Sequence, residues 1–253
     1  MEVTVKTFLI IGPMLFLAGL IDAIGGGGGL ISLPAFLIAG IPPHYAIGTN
    51  KMQALFGTGL ATARFIHNKL VNFKLALPAV LAAIIGSTAG SWVSLQVNEQ
   101  VMVYILVFIL PLSALLVLNK QLFNDQGTTC VNLDRRTYLT AVISAFVIGC
   151  YDGFYGPGTG TFLIICFTLF AKLNIKTANA QAKVINLTTN LTAVAVFLIN
   201  GKVLIPLGMA GAVCNMIGGY IGAGLVMKNG SKIVKPSIIL VLVLLALKML
   251  RVY

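Results

Sequence analysis

Twice in this chain an acid followed by a cluster of glycines interrupts an apolar run. The first break is Asp22-Ala-Ile-Gly-Gly-Gly-Gly-Gly-Leu-Ile-Ser-Leu-Pro34 and the second is Asp152-Gly-Phe-Tyr-Gly-Pro-Gly-Thr-Gly-Thr-Phe-Leu163. Setting Asp22 on Asp152 also sets Gly26 on Gly156 and Gly28 on Gly158. Glycine lacks a Cβ, so the backbone can bend sharply there and approach a ligand closely. Each break opens a new apolar segment, making it a candidate helix N-terminus with unpaired N–H groups. Two such breaks at corresponding places in two halves point to a transporter binding site.

The rest of the chain can fold only around these breaks in a bilayer. Of 253 residues, 58% are hydrophobic and 9% charged, against about 25% charged in a soluble domain. Mean hydropathy is +0.99, so the expected class is an all-α integral membrane protein. The net charge of +11 does not point to nucleic acid, because the basic residues sit in short loops, as the positive-inside rule places them. The four cysteines, Cys130, Cys150, Cys166 and Cys214, have neither paired nor metal-like spacing, and the only histidines are His44 and His67. Neither a metal nor a cofactor is expected. The apolar run Phe8–Leu20 has no small-residue cleavage site after it and reads as a retained segment.

About five hydrophobic segments fill each half. In the first they are Val5–Ala23, Gly28–Ile41 (short), Ala46–Ile66, Phe73–Leu95 and Gln100–Asn119; in the second, Thr137–Tyr151, Gly158–Leu173 (short), Thr177–Asn200, Val203–Met227 and Ser231–Leu250. The expected organisation is a first repeat over 1–119, a polar linker over 120–136 and a second repeat over 137–253. One register relates Ala46-Ile-Gly-Thr-Asn-Lys51 to Ala178-Asn-Ala-Gln-Ala-Lys183, Asn68 to Asn200, Val71 to Val203, and Gly86 and Gly90 to Gly218 and Gly222.

An odd number of segments per half predicts inverted repeats. The charges agree. Arg64, Lys69 and Lys74 surround the loop after the third segment, whereas the loop after the fourth carries Glu99. In the second half the loop after the eighth segment carries Lys202, and Lys228, Lys232 and Lys235 follow the ninth. The basic loop has moved by one. Lys69 and Lys232 are therefore expected on the cytoplasmic side, Glu99 and Lys202 on the other, with both termini outside.

Lys51 and Lys183 lie inside apolar segments, and the repeat relates them. A cation at membrane depth costs a few kcal/mol and is kept only when paired or facing a polar cavity. One reading is a salt bridge within each half, Asp22 with Lys51 and Asp152 with Lys183, which would brace the broken helices. The other is ligand contact. Asn50 and Gln53 flank Lys51; Gln181, Asn186 and Asn190 flank Lys183, and Lys183, Asn186 and Asn190 share one helical face. With Gly26, Gly27, Gly28, Gly156 and Gly158 at the breaks, these form a donor-rich candidate site suited to an oxyanion. The amides could equally serve as interhelical hydrogen bonds, and the Gly86/Gly90 and Gly218/Gly222 pairs as close-packing contacts. Asp22 and Asp152 could brace the breaks or carry a coupling proton. Removing either lysine's charge (Lys51→Gln, Lys183→Gln) is expected to weaken anion binding by about 10- to 150-fold with folding kept.

The chain resembles the sulfite exporter TauE/SafE family of membrane transporters over essentially its whole length. The resemblance rests on Ile24-Gly-Gly-Gly-Gly-Gly-Leu30 with Pro34, on Ala46-Ile-Gly-Thr49, on Asp152-Gly-Phe-Tyr-Gly-Pro-Gly-Thr-Gly160 and on Asn200-Gly-Lys-Val203. It implies transport of a small anion such as sulfite, sulfoacetate or a taurine-derived compound, driven by the proton gradient across a bacterial inner membrane. Lys51 and Lys183 are not part of that resemblance. A passive anion channel is the alternative. An enzyme would need a cluster of His, Cys or carboxylates, and a scaffold gives no reason for two intramembrane lysines. The expected partners are a small anionic substrate and the lipid bilayer; no feature of the sequence specifies an oligomer.

Overall fold

The computed structural model describes residues 5–98, 100–101, 133–230, 232–234 and 236–237. Most of the expected fifth and tenth segments and of the linker, together with Glu99 and Cys130, lies outside the described residues. Within them every regular element is an α-helix: α1 Val5–Gly25, α2 Gly29–Ile38, α3 Pro43–His67, α4 Phe73–Gln96, α5 Arg135–Phe154, α6 Thr159–Leu169, α7 Ile175–Ile199 and α8 Ile205–Asn229. Four of these, α4, α5, α7 and α8, are long and apolar enough to cross a bilayer.

Local chemistry sets the ends. Asn72 caps α4 by accepting from the amides of Lys74 (3.0 Å) and Leu75 (3.3 Å). Asp134 and Asn174 accept from the Thr137 and Thr177 amides at the starts of α5 and α7. Such side-chain acceptors replace the missing intrahelical partners of the first turn. The helices α3 and α7 are each 25 residues long and end alike. The Asn68 side chain donates to the Arg64 carbonyl and that of Asn200 to the Val196 carbonyl, each at 2.8 Å. The next residue in both is left-handed, Lys69 at φ 56° and Gly201 at φ 66°.

The two helices opened by the glycine breaks are short, 10 residues for α2 and 11 for α6. At 1.5 Å per residue each is about 15 Å long, half of the ~30 Å hydrocarbon core.

Packing crosses from one sequence half to the other. The helix α1 lies against α8, and α5 lies against α4. Glycines set both contacts. A Cβ on Gly86 or Gly90 would run into the Phe146 or Cys150 carbonyl, and one on Gly218 or Gly222 into that of Phe16 or Leu20. These are the small-residue contacts by which membrane helices approach closely. The outward faces are apolar: Leu77, Leu81, Ile85, Ile143, Val147, Val213 and Ile217 are exposed. In lipid that surface is solvated rather than costly.

The ends of the bundle differ in charge. Lys69, Lys74 and Lys176 line one cavity of about 690 Å³ beside Asn72 and Asn174. The Lys176 ammonium donates to the Met227 carbonyl at 2.8 Å, and its chain packs on Gly230, just before Lys232. At the other end the Lys202 ammonium sits 4.9 Å from the Tyr45 ring centre, and His44 bonds the Ser94 carbonyl.

Candidate functional site

The two glycine breaks meet. Gly26, at φ +79°, packs its backbone directly on Gly160 and Thr161, where no Cβ could be accommodated. The Thr161 hydroxyl donates to the Gly25 carbonyl at 2.5 Å. The Asn179 side-chain amide donates to the Ala23 and Ile24 carbonyls at 3.1 and 2.9 Å. The carbonyls freed at the end of α1 are thus satisfied by α6 and α7, which belong to the other half. Gly29 faces Pro157 in the same junction. Gly28 differs from Gly158: it is right-handed at φ −56°, while Gly158 is left-handed at φ +88°. Gly28 owes its place to the Ala18 carbonyl and the Asp22 Cβ, which leave no room for a side chain.

The lysines reach this junction from the long helices. Each sits about 12 Å from the start of its helix, at corresponding places on α3 and α7. Their partners correct one sequence expectation. Lys51 Nζ pairs with Asp152 Oδ1 at 2.7 Å, and Lys183 Nζ with Asp22 Oδ2 at 2.7 Å. The salt bridges exist, but each joins one half to the other instead of closing within a half. The physical reason is reach: Asn179 on α7 and Thr161 on α6 bond to the end of α1, and the Lys51 side chain of α3 extends to the break at Gly156. Both ammoniums are sealed off, at 2% and 0% side-chain exposure, as is Asp152 at 2%; Asp22 keeps 15%.

The hydroxyls around the two carboxylates are unequal. Thr159 Oγ1 lies 2.5 Å from Asp152 Oδ1 and 2.7 Å from the Gly156 carbonyl. Thr58 Oγ1 donates to Asp22 Oδ2 at 3.3 Å. Asp152 Oδ2 is buried with no hydrogen-bond partner among the described residues. A Cβ on Gly156 would collide with the Lys51 ammonium and Asp152 Oδ1, so glycine is needed there to let the pair form.

The expected amides divide. Asn50 Oδ1 accepts from the Ser32 hydroxyl (2.5 Å) and from Gln53 Nε2 (2.9 Å), tying α3 to the short helix α2. Gln53 Oε1 is buried without a partner among the described residues. Asn190 donates to Asn186 Oδ1 at 3.2 Å along the face of α7 that carries Lys183. Gln181 goes elsewhere: its Nε2 donates to the Asn72 carbonyl at 3.0 Å, in the loop before α4. Its repeat mate Thr49 accepts from the Leu204 amide at 3.0 Å in the loop before α8. Gln181 therefore ties α7 to a loop. Gly27 closes the start of α2, its carbonyl accepting from the Leu30 amide.

Sequence reasoning passed over Thr159, Thr58, Ser32 and Asn179. Ser32 and Thr159 lie in the two motifs without a spacing signature, and Thr58 could have been found as the repeat mate of Asn190, seven residues after its lysine. Asn179 could have been noticed as a polar residue in an apolar segment where its repeat mate is Ile47.

Residues 11–249 match the family model described as sulfite exporter TauE/SafE. A probable membrane transporter protein, ORF9, of Sinorhizobium is 37% identical over 93% of this chain and 89% of its own length. A probable membrane transporter protein of Haemophilus influenzae is 32% identical over 98% and 96%, and the one called YfcA in Escherichia coli is 33% identical over 96% and 90%.

Proposed function

This chain belongs to the sulfite exporter TauE/SafE family of membrane transporters, and we propose that its cargo is a small anion, sulfite or an organosulfonate, carried together with a proton. The observation that carries the reading is the pair of buried lysines, each neutralised by the carboxylate at the opposite half's helix break. A carboxylate and a small oxyanion are alternative partners for one ammonium. An anion that takes the place of a carboxylate at such a lysine leaves an extra negative charge in a low-dielectric site. That charge is costly at membrane depth, and a proton on the displaced carboxylate removes it. Anion and proton then enter or leave together.

The halves serve this transport as inverted repeats in a multi-pass inner-membrane protein, with 1–119 and 137–253 related by a pseudo-two-fold axis through the two breaks. Equivalent positions of Lys51 and Lys183, the reciprocal ion pairs and the matching α1–α8 and α5–α4 contacts support that arrangement. Lys51, Lys183, Asn50, Asn186, Asn190 and the glycines of the breaks form the anion path in this reading; Gln53 and Gln181 brace it. A passive channel would share these features.

Proteoliposomes loaded at one pH and diluted into another separate the two. Sulfite accumulation that follows the pH gradient is the expected result. Sulfite entry that only equilibrates, at a rate indifferent to pH, would establish the channel instead.

A further inference from the structure

The two ion pairs have different surroundings, and the difference assigns them different roles. We propose that Asp152 is the proton-carrying residue, switched between its two states by Thr159, and that Asp22 stays charged on Lys183. This rests on the proton-coupled anion reading above.

Thr159 carries one hydroxyl hydrogen and has two acceptors in reach, Asp152 Oδ1 at 2.5 Å and the Gly156 carbonyl at 2.7 Å. It can satisfy only one of them at a time. With Asp152 charged, the hydrogen points at Oδ1, beside the Lys51 ammonium. A proton from water placed on Oδ1 reverses the contact. The new O–H donates to Thr159 Oγ1, and the threonine hydrogen turns to the Gly156 carbonyl. Lys51 keeps its own proton, loses its counter-ion and is free for the substrate anion. The balance is one proton taken up by Asp152 for one negative charge received by Lys51. Both states are hydrogen-bonded, as a group that must cycle requires.

The charged state of Asp152 is also the less well solvated. Its Oδ2 is buried without a donor among the described residues, and an unsatisfied buried acceptor bears the desolvation cost in full. Asp22 is placed otherwise. Its side chain retains 15% exposure, and among the described residues the one hydroxyl bonded to it is Thr58 at 3.3 Å. Its repeat mate for Thr159 is Gly29, which has no hydroxyl. The charged and titratable groups around Asp152 are Lys51 on α3, Tyr151 on α5, Tyr155 just after it, and Asp22 on α1, whose charge reaches Lys51. The helix α4 brings the Ser91 hydroxyl, bonded to the Gly153 carbonyl; α7 brings Lys183, already held by Asp22.

Infrared difference spectra of the full chain in bilayers, taken across a pH titration, test the assignment without any substrate. The readout is the carbonyl stretch of a buried carboxylic acid, which stands above that of exposed acids. The expected result is a band that is lost in Asp152→Asn and kept in Asp22→Asn. In Thr159→Val, where Asp152 is intact, the band moves to higher frequency because the acid has lost its acceptor; Thr159→Ser restores it. Sulfite should move the titration midpoint to higher pH. A band that survives in Asp152→Asn, or one indifferent to Thr159→Val, overturns the assignment. A midpoint that sulfite and a panel of sulfonates leave unmoved overturns the anion reading instead.

Discussion

Lys51 on α3 is bonded to Asp152 on α5, 2.7 Å away, and not to Asp22 of its own half. Breaking one partner of such a buried pair leaves an uncompensated charge and costs about 3–5 kcal/mol, whereas removing both is far milder. Lys51→Gln alone should therefore melt well below the wild type in detergent, which revises the sequence expectation that folding is kept. Lys51→Gln with Asp152→Asn should recover most of the loss. Lys51→Gln combined with Asp22→Asn should not, because those two side chains are not bonded. Equal recovery in the two double variants would mean that the pairing is not across the halves.

Gly90 and Gly222 hold the two interhalf contacts from opposite sides, against Cys150 and Leu20. A side chain there meets backbone that cannot yield, and overpacking costs roughly 1–3 kcal/mol. Gly90→Val and Gly222→Val should lower the melting temperature to similar degrees. Wild-type melting of either would show that the helices do not approach so closely in the membrane.

Lys69 occupies a left-handed turn at φ 56° where its repeat mate is Gly201 at φ 66°. An L-residue bears about 1–2 kcal/mol there, and glycine returns roughly half of that through its greater freedom when unfolded. Lys69→Gly should leave stability unchanged or raise it by up to about 1 kcal/mol. Gly201→Lys has open space around the new side chain and should lose about 1 kcal/mol through the backbone alone. Chemical denaturation of the two variants checks both signs.

Lys69 and Lys176 line one cavity at one end of the bundle, and Lys202 lies at the other beside Tyr45. In a background without native cysteines, Lys69→Cys and Lys176→Cys should react together with an impermeant thiol reagent from one side of the membrane, and Lys202→Cys only from the other. Reaction of positions 69 and 202 from the same side would contradict the bundle.

The amino-acid sequence by itself determined the class, the breaks and the depth of the charges. Composition demands a bilayer, the glycines after Asp22 and Asp152 interrupt helices whatever surrounds them, and the repeat register puts Lys51 and Lys183 at equivalent places on α3 and α7. It could also say that buried lysines need counter-ions. Only the tertiary structure decided which carboxylate serves which lysine. Where two stretches of a chain match each other, a contact can close within a half or across to the other, and internal similarity is the same in both cases. The decision falls to tertiary contacts: α7 bonds to the end of α1 through Asn179, and the Lys51 side chain of α3 reaches the break at Gly156, so each lysine meets the opposite aspartate. The same packing separated Gln181 from Lys183, since residues two apart on a helix face different neighbours. It also set Thr159 against Asp152 with no counterpart at Asp22, an inequality that the matched glycine motifs conceal.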